Sequence, residues 1–303
     1  MKILVSDGIE KIGEEILISA GFEVVNKKLS PEELLEQISE FNAIIVRSAT
    51  KVTKAVIDAG INLKAIARGG VGLDNIDTVY AKEKGIPVLN TPGASSISVA
   101  ELAIAHMFAL SRFLHLSNTE MRQGKWPKKE YAKGIELTGK TLGLLGFGNI
   151  GREVAKRALG LGMKVIAFDP FVVKTDMSMD LTSKEAVIRN SDYISLHLPF
   201  IKSEGASIAA KEFTQMKKGV ILINCARGGV VSESDLLNAL NNGTVGGAAM
   251  DVFLNEPPTD AQSALINHPK VSVTPHIGAS TVEAQDRVGE EIANKVVNTL
   301  NNL

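Results

Sequence analysis

Residues 141–169 read TLGLLGFGNIGREVAKRALGLGMKVIAFD, and this stretch decides the fold. Thr141–Leu145 is an apolar run of strand length that enters Gly146-Phe147-Gly148-Asn149-Ile150-Gly151. From Arg152 to Leu161 apolar residues recur at helical spacing, and a second strand run, Lys164–Phe168, ends on Asp169. A lone GxGxxG is a weak signal in a chain with 27 glycines. Between a strand and a helix, with an acid closing the next strand, it has a mechanism. Gly146 makes the tight turn, Gly148 lets backbone approach a pyrophosphate, Gly151 lets helix pack on strand, and the helix N-terminus faces the phosphates. Asp169 is placed to accept hydrogen bonds from ribose hydroxyls and to repel a 2′-phosphate. With no arginine in Pro170-Phe171-Val172-Val173, NAD is expected rather than NADP.

The rest of the chain repeats this alternation of short β-branched runs and longer helical patterns, which points to parallel α/β architecture. One series of strand runs is Lys2–Ser6, Phe22–Val25, Ala43–Val46, Ala65–Ala67 and Pro87–Leu89. The other continues from Thr141 through Tyr193–His197, Val220–Ile223, Gly247–Met250 and Val271–Thr274. These runs are apolar without alternation, as strands covered on both faces must be. Helical stretches lie between them, such as Pro31–Ser39 with Ser30 as N-cap. One long helical pattern joins the series. It starts at Ser98, which stands at capping-box spacing from Glu101, and it is apolar nearly all round from Val99 to Leu110. Such a helix is either wholly buried or packed on a second subunit, and a homodimer through it is the expectation.

The 303 residues are 45% hydrophobic and 22% charged, which excludes a disordered or fibrous chain and suggests two domains. A net charge of −1 leaves no global attraction for nucleic acid or an anionic membrane surface. Cys225, the single cysteine, forms no intramolecular disulfide, and no His, Cys or Asp cluster has metal-ligand spacing. The apolar start is too short for a signal peptide and no run reaches membrane-spanning length, so a cytoplasmic protein is expected.

Ligands of open parallel sheets bind beyond the carboxyl ends of the strands. The second series ends on Gly146, Asp169, His197, Asn224 with Arg227 close behind, Asp251 and His276. Hydride exchange with a secondary alcohol needs a base for the hydroxyl proton, a cation for the substrate carboxylate and carbonyl, and a carboxylate to tune the base. His276, Arg227 and Glu256 are of the right types. An imidazole beside a carboxylate has a raised pKa and a fixed tautomer, and a guanidinium grips a carboxylate with two parallel bonds.

Residues 216–229, MKKGVILINCARGG, with Ala249-Met250-Asp251-Val252-Phe253, Glu256-Pro257 and Thr274-Pro275-His276-Ile277-Gly278-Ala279-Ser280-Thr281, resemble the D-isomer-specific 2-hydroxyacid dehydrogenases. Residues 68–77, RGGVGLDNID, and Asn90-Thr91-Pro92 point to the phosphoglycerate-oxidising branch, and the similarity covers almost the entire chain. The resemblance implies an α/β fold of two doubly wound parallel-sheet domains. A Rossmann NAD domain, 98–276, would be inserted into a flavodoxin-like substrate domain, 1–97 plus 277–303, with the active site in the cleft between them. Arg227 would bind and polarise the 2-oxo acid, His276 would carry the proton and Glu256 would be its partner. Gly146, Gly148, Asn149, Ile150, Gly151, Asp169, His197, Leu198, Cys225, Ala226, Asp251 and Gly278 would contact NAD. Gly70, Val71 and Gly72 would take the substrate carboxylate, Arg47 and Arg68 its phosphate, and Ser48 would be a further substrate contact.

The implied reaction is oxidation of D-3-phosphoglycerate to 3-phosphohydroxypyruvate, the first step of serine biosynthesis. Reduction of glyoxylate, hydroxypyruvate or another 2-oxo acid stands second, and an NAD-sensing binding protein like the family's corepressors third. Two departures from the family pattern bear on this. Residues 198–205, LPFIKSEG, lack the usual threonines, and Ser232 stands where aspartate is common. No regulatory module is expected after the helical stretch Glu283–Leu300, hence no serine feedback through one.

Overall fold

The structure, a computed structural model, describes residues 1–302. The chain divides into two compact units, Met1–Ser96 with Ala279–Leu303, and Ile97–Gly278.

The first unit is built on five parallel strands: β1 Lys2–Val5, β2 Glu23–Asn26, β3 Ala43–Val46, β4 Ala65–Arg68 and β5 Val88–Leu89, in the order β2-β1-β3-β4-β5. Successive side chains leave opposite faces of a strand, so Ile3 and Val5 enter one core while Leu4 enters the other. This double coverage is why β1 and β3 read as unbroken apolar runs. One core includes Ile292, Ala293 and Val296 of the helix Val282–Asn301. That helix packs on Lys11–Ser19 where both are glycine: a Cβ at Gly13 would lie 2.6 Å from the Gly289 carbonyl oxygen. Pro31–Gln37 begins with a full capping box, Ser30 accepting from the Glu33 amide and Glu33 from the Ser30 amide.

The second unit carries seven parallel strands: β6 Thr141–Leu145, β7 Lys164–Phe168, β8 Asp180–Leu181, β9 Tyr193–Leu196, β10 Val220–Asn224, β11 Val245–Met250 and β12 Val271–Val273. Their order is β12-β11-β10-β9-β6-β7-β8. The winding reverses between β6 and β9, as it does between β1 and β3 in the first unit. Crevices at such reversals are where doubly wound sheets hold ligands.

Three details correct the sequence reading. The two-residue edge strand β8 was not anticipated, because Asp180-Leu181 is too short to carry a pattern. The joining helix runs Ser96–Ser111, so Ser98 lies inside its first turn rather than at the N-cap position. Glu101 instead pairs with Arg157 at 2.8 Å. The helix is not uniformly buried either. Val99, Ala100, Ala103, His106, Met107 and Leu110 face the interior, whereas Ile97, Glu101, Ala105 and Phe108 form an exposed stripe. Among the described residues no single helix is long and apolar enough to cross a membrane.

Candidate active site

β6 delivers the chain into the glycine turn at the reversal point. Gly146 adopts φ 96° and lies so close to the end of β9 that a Cβ would come within 2.3 Å of the His197 carbonyl oxygen. A Cβ at Gly151 would meet the Gly146 carbonyl oxygen at 2.4 Å, which is the helix-on-strand contact only glycine permits. Over Gly148 the space is open. The helix Asn149–Gly160 makes its first internal bond from the Arg152 amide to the Gly148 carbonyl, so the amides of Asn149, Ile150 and Gly151 precede the helical ladder. These donors and the helix dipole suit a pyrophosphate. At the end of β7 the Asp169 carboxylate accepts from the Phe147 amide at 2.8 Å and the Phe171 amide at 2.9 Å, which fixes it against the turn. The donor and acceptor set therefore fits an adenine dinucleotide without a 2′-phosphate.

His197 follows β9 and packs beneath this turn. Its Nε2 lies 3.0 Å from Ser195 Oγ, its Nδ1 is buried without a hydrogen-bond partner, and burial drives its pKa down to about 4. It is therefore a neutral ring. Leu198 and Phe200 pack on the core of this unit, so the segment lacking the usual threonines is held by apolar contacts. Cys225 is buried beyond β10, and burial pushes its thiol well up, which removes the thiolate a nucleophile would require.

The three chemistry-bearing residues come together in this second unit. At the end of β10, the buried Asn224 holds the next turn from both sides: its Oδ1 accepts from the Ala226 amide and its Nδ2 donates to the Arg227 carbonyl, both at 3.1 Å. Arg227 Nη1 donates to the Ala226 carbonyl at 2.7 Å. A Cβ at Gly228 would fall 1.8 Å from the Phe253 carbonyl oxygen, so this turn touches the loop that carries Glu256. Glu256 Oε1 accepts from the Phe253 amide at 3.1 Å, and Oε2 lies 2.6 Å from His276 Nδ1.

The charges answer one another. The hydrogen bond to Glu256 raises the His276 pKa above its ordinary value, against burial and the Arg227 charge. Burial would raise Glu256, but bonds from His276 and the Phe253 amide, with the Arg227 charge, hold it low. Nδ1 carries a proton toward Glu256, so Nε2 is the nitrogen left to exchange one with a ligand.

The turn that presents His276 is tied to one residue. His276 has φ 52°, a left-handed conformation that costs a non-glycine residue roughly 1–3 kcal/mol unless the surroundings enforce it. Three consecutive amides supply that enforcement. His276 N–H donates to the Asp251 carbonyl at 2.8 Å, Ile277 N–H to Oδ1 and Gly278 N–H to Oδ2, both at 2.9 Å. Asp251 and Gly278, both expected at the cofactor, are thus bonded to each other.

In the first unit, Arg47 and Arg68 stand at the carboxyl ends of the adjacent strands β3 and β4, and Arg68 Nε donates to the Arg47 carbonyl at 3.1 Å. Arg47 pairs with Glu10 at 2.9 Å and donates to Gln285. Arg68 donates to the Gly72 carbonyl, and the Val71 carbonyl accepts from Asn90 at 2.7 Å. Ser48 is exposed. Sequence reasoning missed the acids and amides that shape this end. Asp7 accepts from the Arg47 and Thr50 amides, and Asn75 Nδ2 reaches the carbonyls of Arg47 and Thr50. It also missed Glu233, which accepts from the Leu254 amide at 2.7 Å and from Gln262 at 3.0 Å, bracing both sides of the Glu256 loop. Ser232, N-terminal to Glu233, occupies the cap position without a side-chain cap bond. No group of three or more His, Cys, Asp or Glu among the described residues is arranged to hold a metal.

A dinucleotide turn beside a histidine–carboxylate pair and an arginine defines an NAD-dependent dehydrogenase. A family model described as D-isomer specific 2-hydroxyacid dehydrogenase, NAD binding domain, matches residues 104–278. The chain is 48% identical to hydroxypyruvate reductase of Thermotoga maritima, over 99% of this chain and 98% of that protein. It is 45% identical to D-3-phosphoglycerate dehydrogenase of Homo sapiens, over 96% of this chain but 55% of that one, so it spans about half the latter's length. Among solved structures, D-lactate dehydrogenase from Aquifex aeolicus, complexed with NAD and lactic acid, superposes with a TM-score of 0.86 at 29% identity, covering 100% of this chain and 96% of that one. The chain belongs to the D-isomer-specific 2-hydroxyacid dehydrogenases. Its cofactor is NAD.

Proposed function

We propose that the chain oxidises D-3-phosphoglycerate to 3-phosphohydroxypyruvate, with His276 as acid and base, Glu256 as its partner and Arg227 as the cation on the substrate's carboxylate and oxygen. The observation that carries the chemistry is the 2.6 Å contact of His276 Nδ1 with Glu256, in the unit that holds the dinucleotide turn. NAD, when bound, accepts the hydride from the carbon bearing the hydroxyl. Neutral His276 takes the hydroxyl proton on Nε2, and the resulting imidazolium is stabilised by Glu256. In the reverse direction the same nitrogen returns the proton, while Arg227 draws charge onto the carbonyl oxygen. Asn149, Ile150, Gly151 and Asp169 are assigned to the dinucleotide, as are His197, Leu198, Cys225, Ala226, Asp251 and Gly278.

Substrate recognition is assigned to the first unit, with the Gly70-Val71-Gly72 segment for the carboxylate, Arg47 and Arg68 for the phosphate, and Ser48 as a further substrate residue. Two guanidinium groups at adjacent strand ends support the phosphate reading. Against its strength stands Glu10, which offsets one of the two charges. That pairing, with the full-length similarity to a protein named hydroxypyruvate reductase, favours reduction of hydroxypyruvate as the second reading.

NADH production from D-3-phosphoglycerate, compared with NADH consumption on hydroxypyruvate and glyoxylate, separates the two. On the first reading Arg47→Ala and Arg68→Ala each raise KM for the phosphorylated substrate; equal turnover of unphosphorylated glycerate refutes it. The exposed stripe of Ile97 and Phe108 supports a homodimer through the helix Ser96–Ser111, and light scattering coupled to gel filtration tests it.

A further inference from the structure

Asp251 anchors the His276 turn, and it is itself held from deeper in the unit. Thr274 Oγ1 donates to Asp251 Oδ1 at 2.6 Å, which commits the hydroxyl proton. The same oxygen lies 3.1 Å from His106 Nε2, and toward that nitrogen it can only accept. Nε2 therefore carries the ring proton. Nδ1 is left with a lone pair, which accepts from Ser272 Oγ at 2.9 Å. The carboxylate at one end thus fixes the direction of every bond in the series Ser272 to His106 to Thr274 to Asp251. His106 is 4% exposed, and burial lowers its pKa against the opposing charge of Asp251, with His115 adding to the lowering. A neutral ring, one nitrogen donating and the other accepting, is the state this series requires.

With His276 as the proton carrier proposed above, we propose that His106 is a positioning residue for it. His106 holds the Thr274 hydroxyl on Asp251, and Asp251 holds the three amides that keep His276 in its left-handed conformation against Glu256. In the middle of the helix Ser96–Ser111 the other buried residues, Val99, Ala100, Ala103, Met107 and Leu110, are apolar. An apolar side chain there would fill the space equally well and leave the Thr274 hydroxyl free to rotate. The Asp251 carboxylate would then lose one of its three donors, and the turn would lose its fixed register.

The test compares His106→Leu with Met107→Ala, a cavity in the same buried helix that removes no hydrogen bond of the series. His106→Leu should lower kcat for 2-oxo-acid reduction at saturating NADH roughly 10- to 100-fold, the scale of a reacting group displaced by a fraction of an ångström to one ångström. The high-pH limb of its kcat/KM profile should move to lower pH as the His276–Glu256 contact loosens. Amides of residues 276–278 should exchange faster in the cofactor-free protein. His106→Gln, whose amide offers one donor and one acceptor, should restore most of the activity and the profile. Met107→Ala should lose a comparable amount of Tm with kcat and profile unchanged.

If His106→Leu keeps the wild-type kcat and profile, or Met107→Ala reproduces its losses at equal Tm, His106 is a packing residue and the proposal falls. His276→Asn is assayed alongside. Should that variant retain turnover, the assignment of the proton carrier fails instead, and the two failures are told apart.

Discussion

Gly228→Ala is the sharpest perturbation the geometry offers, since one methyl group would strike the contact between the Arg227 turn and the Glu256 loop. The added Cβ would sit 1.8 Å from the Phe253 carbonyl oxygen and 2.2 Å from its carbon, whereas ordinary contact begins near 3.4 Å. The backbones must therefore part by about 1.6 Å, because neither atom is the end of a flexible side chain. Phe253 N–H donates to Glu256 Oε1, so the movement is passed to the partner of His276. Overpacking of this kind costs about 1–3 kcal/mol of stability. Misplacing a reacting group by about 1 Å costs on the order of 100-fold in rate. The glycine turn at residues 146–151 lies on other strand ends, so NADH affinity should change far less than turnover. The assay is kcat/KM for a 2-oxo acid at saturating NADH, with NADH titration by fluorescence and a thermal melt. A variant with wild-type kcat/KM and unchanged Tm would refute the claim that these two loops are in register-setting contact.

Other substitutions test separate parts of the site. Glu256→Gln removes the bond that raises the His276 pKa, so the ring should lose its proton at lower pH. Reduction, which needs the protonated ring, should fall off at lower pH, and oxidation, which needs the neutral ring, should begin its rise at lower pH; an unmoved profile would remove Glu256 from this role. The pair itself is intact only where Glu256 is ionised and His276 protonated. Its contribution to stability therefore fades below the lowered Glu256 value and above the raised His276 value, and with His276 half exposed it is under about 1 kcal/mol in a pH-dependent melt. Gly151→Ala, with its Cβ 2.4 Å from the Gly146 carbonyl oxygen, should weaken NADH binding at least about tenfold, read by titration. Glu10→Gln leaves Arg47 uncompensated and should lower KM for a phosphorylated substrate by about two- to fivefold, with no such change for an unphosphorylated one.

The parts of the fold that could be read from the sequence are those whose cause is local. Strand, glycine turn, helix and acid follow one another within 141–169, and each constrains the next. The buried strands were legible for the same reason: β1, β3, β6 and β10 are covered on both faces, and their apolar runs say so. The ends of elements were less legible, because a one-residue shift of a helix start changes no composition; Ser98 and Glu101 have capping spacing but lie a turn too late. Strand β8 carries only two residues and no pattern.

The site divides along the same line. Asp169 and the glycines follow from position in a local motif. His276 and Glu256 are 20 residues apart and meet only through the packing of two loops, so their pairing had to come from resemblance. Asp7, Glu10, Asn75 and Glu233 are ordinary polar residues whose partners lie far along the chain, and no periodicity marks them. His106 could have raised a question, being a titratable residue among the buried apolar residues in the middle of its helix.

The most direct test of the central claim is a pre-steady-state measurement of NADH oxidation on hydroxypyruvate by the wild-type chain and His276→Asn. The account predicts that the variant binds NADH with unchanged affinity while the rate of the hydride step falls about 10²- to 10⁴-fold, the worth of a positioned acid. A variant that binds NADH and transfers hydride at the wild-type rate would contradict it.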